Sequence, residues 1–232
     1  MLDEIVADER RLVTIIDPHM KKDENFFLYS YGKKEGILVQ DINKDSSNPY
    51  HGRCWPETSS WVDFMNPKSQ ELKTMLYSTC PKHLINYNPF DYIWNDPNVG
   101  VWIDMNEPAC FEVTDKTMPK TNFHTIEMLN SKGAVEERVV EHRDVHSLYG
   151  YYSSQVTYHA LRARSQERPF ILSRSFFPGS QRYCAIWSGD SNSNWRDFEK
   201  SVPILLQKSM CGISFIGGDV PGFSGDPIIK DD

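Results

Sequence analysis

Short apolar runs that stop at a polar, mostly acidic, residue recur along this chain. Leu12-Val13-Thr14-Ile15-Ile16 stops at Asp17, Val99-Gly100-Val101-Trp102-Ile103 at Asp104, and Phe170-Ile171-Leu172-Ser173 at Arg174. Tyr183 to Gly189 stops at Asp190, and Ile213 to Gly218 at Asp219. Near-continuous runs rich in β-branched and aromatic residues mark strands buried on both faces of a parallel sheet. Helical patterns separate most of them. Asn66-Pro67 supplies an N-cap and first-turn pair for a helix running to about Ser78. Ser147 to about Ala163 reads as a long helix with Leu148, Tyr151, Tyr152 and Leu161 among its apolar positions, Tyr149 to Tyr152 being a packed face. Trp195 to about Met210 reads as another, which Pro203 should kink or restart. Only eight residues separate Arg174 from Tyr183. A parallel crossover usually takes about a dozen or more, so a single helical turn at Phe177–Gln181 is expected there.

Two stretches, 21–61 and 108–144, read as long loop excursions after strand ends, where loops of such length usually serve function. The first is polar, with a hairpin expected around Lys33–Gly36; the second shows no clear period. The alternation predicts an α/β domain over 1–232 with a parallel sheet, either open and doubly wound or part of a barrel. No GxGxxG follows the first strand and no GxxxxGK[ST] occurs, so the dinucleotide-binding form of the open sheet fails. Four carboxylates and an arginine at the carboxyl ends of parallel strands suit a (β/α)8-type barrel, whose active site is built on that rim.

Composition narrows the function classes. The 232 residues are long enough for one sizeable core, and 39% hydrophobic content is ordinary for a globular protein. A net charge of -7 argues against a nucleic-acid or anionic-membrane surface, both of which need clustered Lys and Arg. No apolar run approaches the roughly 18 residues of a membrane span. The acidic, polar start MLDEIVADERR reads as lacking a signal peptide. The five cysteines are scattered without a CxxC pair, and most read as buried thiols.

Two carboxylates facing each other across a cleft are the minimal apparatus for glycoside hydrolysis. Asp104 and Asp190 suit that pairing, each at a strand end beside a tryptophan, Trp102 or Trp187, able to stack on a sugar ring. A lone Asp after a strand is ordinarily a helix cap or turn residue. Two with adjacent tryptophans, and Arg174 between them in sequence, favour the chemical reading. Glu107 is the rival to Asp104. His142 and His146 stand at i and i+4 without an HExxH pattern and beside Arg143, so no metal site is read there. His19, His51, His83, His124 and His159 read as structural or surface residues.

Trp102-Ile103-Asp104-Met105-Asn106-Glu107-Pro108 resembles the nucleophile signature of glycoside hydrolase family 31. Ser173 to Tyr183, running into Ala185-Ile186-Trp187-Ser188-Gly189-Asp190, is similar to its acid/base region. Gly217 to Phe223 and Ile15 to His19 resemble two further strand ends of the family. Glu141 to Gly150 resembles most the members that trim α-1,3-linked glucose from N-glycans in the endoplasmic reticulum lumen beside a non-catalytic β subunit. The resemblance implies a retaining exo-α-glucosidase with Asp104 as nucleophile and Asp190 as acid/base, with no cofactor and no metal. It implies that Ile15, Asp17, Trp55, Trp102, Met105, Arg174, Trp187, Asp219 and Phe223 surround the first glucose. The substrate implied is an α-glucoside or glucosylated N-glycan.

The resemblance covers five of the family's eight barrel strands, similar to the third to the seventh. An upstream aspartate and a downstream histidine of the family's sugar site have no counterpart, and the segment Glu24–Ser47 diverges. An open part-barrel is therefore expected, with unpaired edges at the strands of Val13 and Phe215 and little or no activity alone. The alternatives are a non-catalytic carbohydrate-binding or interaction protein on the same scaffold, and an inverting or differently specific glycosidase.

Overall fold

The computed structural model describes residues 2–41, 48–79, 96–114 and 116–226, so Cys80, His83 and part of the divergent segment lie outside it. In chain order the elements are α1 (Leu2–Ala7), β1 (Leu12–Ile16), β2 (His19–Lys21), α2 (Phe27–Lys34), β3 (Gly52–Cys54), β4 (Glu57–Trp61) and α3 (Ser69–Thr74), which a π turn extends to Thr79. There follow β5 (Val99–Ile103), β6 (Phe123–Leu129), β7 (Val135–Glu141), α4 (His142–Val145), a 3-10 turn at His146–Leu148 and α5 (Tyr149–Arg164). The last are β8 (Ile171–Ser173), a 3-10 turn at Ser180–Arg182, β9 (Ala185–Trp187), α6 (Trp195–Met210) and β10 (Ile216–Gly217).

The apolar runs form one five-stranded parallel sheet in the order β1-β5-β8-β9-β10. Strand order follows chain order, as in an arc of a (β/α)8 barrel, with α3, α5 and α6 as crossovers. Between β8 and β9 the short connection is closed by the single 3-10 turn, a little later than the Phe177–Gln181 expected. Ile16 pairs with Ile103, and Ile103 with Ser173. That register brings Asp17, Asp104 and Arg174 to one level of the rim.

Burial on both faces holds for β5 and β9 but not for the outer strands. β1 alternates, leaving Val13 43% and Ile15 51% exposed, and Phe215 beside β10 is 67% exposed. Only an inner strand has neighbours on both sides to carry covering elements.

The described residues of the two long excursions form regular elements. In 21–61, β2, β4 and β3 make an antiparallel sheet under α2. The Lys33–Gly36 hairpin is instead the end of α2. Ile37 N donates to Gly32 O and Gly36 N to Lys33 O, with Gly36 at φ +68, the glycine-ended helix stop known as a Schellman motif. In 108–144, β6 and β7 pair from Phe123↔Glu141 to Leu129↔Val135. One apolar cluster joins this part to Tyr149 of α5 through Tyr29, Trp61 and Phe64; a second lies under the parallel sheet around Tyr77, Ile103, Leu161 and Ile186.

The helices depart from their patterns in detail. α3 begins at Ser69 because Asn66 Oδ1 accepts from Lys68 N at 3.0 Å, forming a turn ahead of the helix. α5 buries Gly150, Ser153, Ser154, Thr157 and Ala160 along with Tyr149, Val156 and Leu161, while Leu148, Tyr151 and Tyr152 are only half-buried. Small residues on that face let the helix backbone approach β8. α6 runs unbroken through Pro203 and buries no residue. Cys54, Cys110 and Cys184 are buried free thiols, and Cys211 is exposed.

Candidate active site

Each rim residue is delivered by a strand end. Asp104 follows β5 and Arg174 follows β8; their backbone N–H groups donate to Ile16 O at 3.1 Å and Ile103 O at 3.2 Å, extending the ladder to the side chains themselves. Met105 next takes a left-handed backbone, φ +54, and its N–H donates to Asp104 Oδ1 at 2.8 Å. Such a conformation is costly for a side-chain-bearing residue and is typical of functional sites. Asn106 is fully buried: its Nδ2 donates to Ser173 Oγ at 2.9 Å and its Oδ1 accepts from Ser175 N at 2.9 Å. That clamp brackets Arg174.

Arg174 is the hub. Its Nη1 lies 2.8 Å from Asp104 Oδ1 and 3.8 Å from Asp190 Oδ2. Its Nε and Nη2 donate to the two oxygens of Glu107 at 2.8 and 3.0 Å, a bidentate pair. The two Nη1 distances add to about 6.6 Å, which bounds the separation of those Asp104 and Asp190 oxygens. Carboxylates flanking one glycosidic bond lie about 5–5.5 Å apart in retaining and 6.5–9.5 Å in inverting enzymes. The Asp104 side chain is 14% exposed and that of Asp190 45%. Gly189, at φ +79, turns the chain after β9 so that Asp190 faces the hub; a Cβ there would sit 3.5 Å from Arg174 Cδ.

Burial sets the charge balance. It raises the Asp104 carboxyl above its ordinary range, with Arg174 and the Met105 N–H pulling the other way. Burial, then the Asp104 charge, pushes Asp17 up to about 6. His19, whose Nε2 lies 3.5 Å from Asp17 Oδ2, is pushed by burial down to about 4. A neutral imidazole carries no charge to pair with Asp17, so the contact is not an ion pair. Asp219 is raised by burial and then by Asp190.

Among the described residues, Asp17 Oδ1, Trp102 Nε1 and Asp219 Oδ2 are buried polar atoms at the rim with no hydrogen-bond partner, as is His19 Nδ1 beside them. Unpaired buried polar groups are rare and call for a partner; a polyhydroxylated ligand supplies donors and acceptors for such atoms. Trp102 and Trp187 meet edge to face at 5.4 Å. Trp55, 69% exposed, donates from Nε1 toward Met105 Sδ at 3.1 Å and stacks edge-on with Phe111 at 4.8 Å. A cavity of about 550 Å³ opens beside Asp17, His19 and Trp55. A smaller one of about 250 Å³ lies at the opposite, amino-terminal end of the strands around Val13, Asn98 and Phe170, away from the carboxylates.

The structure thus gathers Asp17, Asp104, Arg174, Asp190 and Asp219 with Trp55, Trp102, Met105 and Trp187. Ile15 and Phe223 stand exposed at the two ends of the sheet. Phe223 N donates to Ser191 O, which ties its loop to the one bearing Asp190. Sequence reasoning read His19 as a structural or surface residue and gave no role to Asn106 or Phe111. Asn106 and His19 carried a signal, each a polar residue inside a motif, the one of Asp104 and the one of Asp17; Phe111 carried none beyond nearness to the Asp104 motif.

The Glycosyl hydrolases family 31 TIM-barrel domain matches residues 1–231. Neutral alpha-glucosidase AB of Dictyostelium discoideum is 39% identical over 226 residues, covering 96% of this chain and 21% of that protein. The chain therefore spans about a fifth of that relative's length. A crystal structure of glucosidase II alpha subunit in an alpha3-Glc2-bound form superposes with a TM-score of 0.80 at 35% identity, covering 97% of this chain and 22% of that one. An ER glucosidase II heterodimeric complex of catalytic subunit and the binding domain of regulatory subunit gives a TM-score of 0.79 at 35% identity with the same coverage.

Proposed function

The chain belongs to glycosyl hydrolase family 31, and on that premise we propose that it carries the catalytic rim of a retaining exo-α-glucosidase, with Asp104 as nucleophile and Asp190 as acid/base. The observation that supports it most is the single guanidinium of Arg174 holding Asp104 and lying within 3.8 Å of Asp190. Asp104 is the less exposed, and two donors favour its charged form. It attacks the anomeric carbon while Asp190 protonates the departing glycosidic oxygen, giving a glycosyl ester. Asp190, now the base, takes a proton from water; the water oxygen attacks the same carbon and the Asp104 carboxylate leaves. Asp17 and Asp219, with unpaired oxygens, and Trp102 fix the sugar hydroxyls, and the tryptophans exclude water from the ester.

The substrate class is terminal α-linked glucose, on N-glycans by likeness to the glucosidase II structures, with a regulatory β subunit as partner and the endoplasmic reticulum lumen as compartment. Among the described residues no helix is long and apolar enough to cross a membrane.

The test is turnover of an aryl α-glucoside by this chain and by Asp104→Asn, with the anomer released first read by proton NMR. Turnover that yields α-glucose and is lost in Asp104→Asn while glucose still binds supports the assignment. First-formed β-glucose means inversion; unchanged turnover in the variant moves the nucleophile to Glu107; sugar binding without turnover makes the chain a carbohydrate-binding protein.

A further inference from the structure

Buried positions on α3 and the turn after it recur at Ser69, Leu72, Lys73 and Leu76, the i, i+3, i+4, i+7 spacing of a helix face packed on a core. One of the four is a lysine. Lys73 is 6% exposed, and its Nζ lies 5.2 Å from the centre of the Phe64 ring and 5.5 Å from that of Tyr77. Among the described residues no carboxylate pairs with it, and burial pushes its pKa down to about 8. Two ring faces offset part of the cost of burying an ammonium, but neither neutralises its charge. The hydrolysis proposed above uses no amine, so Lys73 has no task in it.

Lys73 also lines the cavity of about 550 Å³ that opens beside Asp17 and Trp55. Pockets of about 300–1,000 Å³ hold small ligands. Ile16, Leu28, Val62, Leu72 and Leu76 supply apolar wall. The charged residues of the lining balance, Asp17 and Asp23 against Lys21 and Lys73, so the cavity selects neither an anion nor a cation. His19 lines it too, 8% exposed, and its Nδ1 has no hydrogen-bond partner. A polar atom in want of a partner, an apolar wall and a desolvated amine together describe a site for a neutral, mostly apolar molecule with one polar end. Among such molecules an aldehyde is the kind that a lysine holds covalently, and lysines desolvated in apolar pockets are the ones that form imines with carbonyl compounds.

We propose that this cavity is a binding site for small apolar aldehydes, which Lys73 holds as an imine on its Nζ. The Nζ lone pair attacks the carbonyl carbon, and the C=O π pair moves to oxygen, which takes up the proton that nitrogen releases. The resulting carbinolamine loses that oxygen as water, and the C=N bond forms. No oxidant, reductant or cofactor enters. At pH 7 about one such amine in ten is neutral and able to attack, against roughly one in 3,000 for an ordinary lysine. The lower basicity of the amine takes back part of that gain.

The experiment is reductive trapping on this chain with hexanal and cyanoborohydride at pH 7, the labelled lysines being mapped and timed by peptide mass spectrometry. Lys73 should be alkylated at least about tenfold faster than Lys34, whose side chain is 80% exposed. Its rate should saturate as hexanal rises, as binding in a cavity requires, while that of Lys34 stays proportional to hexanal. Denaturing urea should abolish the difference. Equal rates at the two lysines in the folded chain, a Lys73 rate that never saturates, or a preference that survives in urea each overturn the proposal. These readings are made on wild type and depend on no variant. Lys73→Arg keeps the charge and should lose the saturating label; a saturating label in that variant gives the site to another lysine and overturns the assignment. Hexanoate and hexanol, added as competitors, test the ligand class. Hexanoate slowing Lys73 more than hexanol does marks an anion site and overturns the aldehyde reading; any other order leaves it standing.

Discussion

Replacing Gly150 with alanine sets two effects of opposite sign against each other. Gly150 lies in the first turn of α5, where alanine gains up to about 1 kcal/mol of helix propensity and the buried methyl about 0.8 kcal/mol more. Against this, the new Cβ would lie 2.6 Å from Ser175 Oγ and 2.7 Å from both Ser175 Cβ and its backbone oxygen. The hydroxyl can rotate away, but the backbone oxygen cannot. Ser175 N is held by Asn106 and its oxygen accepts from Ser173 Oγ at 2.9 Å, so the strand end has little room to yield. Overpacking of this kind costs about 1–3 kcal/mol and occasionally more. With no escape along the backbone the upper end of that range applies, about 3 kcal/mol, leaving a net loss of about 1 kcal/mol. For a chain of this size that is a fall in Tm of roughly 2–4 °C. Gly217→Ala is the control, because a Cβ there meets nothing within 4 Å; its effect should stay within about 0.5 kcal/mol. Thermal and urea unfolding of both variants measures the difference. A Gly150→Ala protein as stable as wild type, or more so, would show that propensity outweighs the overlap and that α5 is free to slide on β8.

Arg174→Met should raise the Asp104 pKa further, because the cation that opposes its burial is gone; a 13C carboxyl titration in which Asp104 stays put or falls refutes the hub. Asp17 has a folded pKa of about 6 against an ordinary 3.8. Its stabilising contribution is therefore fully present below about pH 3.8 and lost as pH rises through about 6. Asp17→Asn should accordingly be more stable than wild type at pH 7, by up to about 3 kcal/mol, and no more stable at pH 3.5. Urea unfolding at the two pH values checks it, and equal differences at both would remove Asp17 as the titrating group.

The parallel sheet was legible because each strand is an apolar run closed by a polar residue, and the same closure marked Asp17, Asp104, Arg174, Asp190 and Asp219. Less visible was whatever depends on neighbours distant in sequence. β1 has the composition of β5 yet exposes Val13 and Ile15, because composition does not say which strand lies outermost. Gly36 signals a chain reversal in sequence, but only the bonds to Gly32 and Lys33 make it a helix stop rather than a hairpin. The face α5 buries is small and polar because the helix must come close to β8, so a search for large apolar residues picks the half-buried tyrosines instead. In the site, sequence offered Glu107 as a rival to Asp104, whereas the structure pairs both with Arg174. The buried contacts that join Asp63, His124, His142 and His146 were beyond reach for a related reason: these residues come from the end of β4, from β6, from α4 and from the turn that follows it.

Because one guanidinium is divided among Asp104, Glu107 and Asp190, the mutational landscape around this rim should be strongly epistatic. Removing any one carboxylate frees the arginine to lean harder on the other two, so the effects of changes at these positions will not add. A library of single substitutions at Glu107 would record the rebound of Arg174 onto Asp104 as much as any role of Glu107 itself. Directed evolution toward a new sugar would therefore stall at single steps that succeed in pairs, and the order of acquisition would decide which variants are reachable. Trp55, carried on a different sheet and touching the rim through Met105 and Phe111, lies outside that shared charge. It is the position from which specificity can drift one substitution at a time.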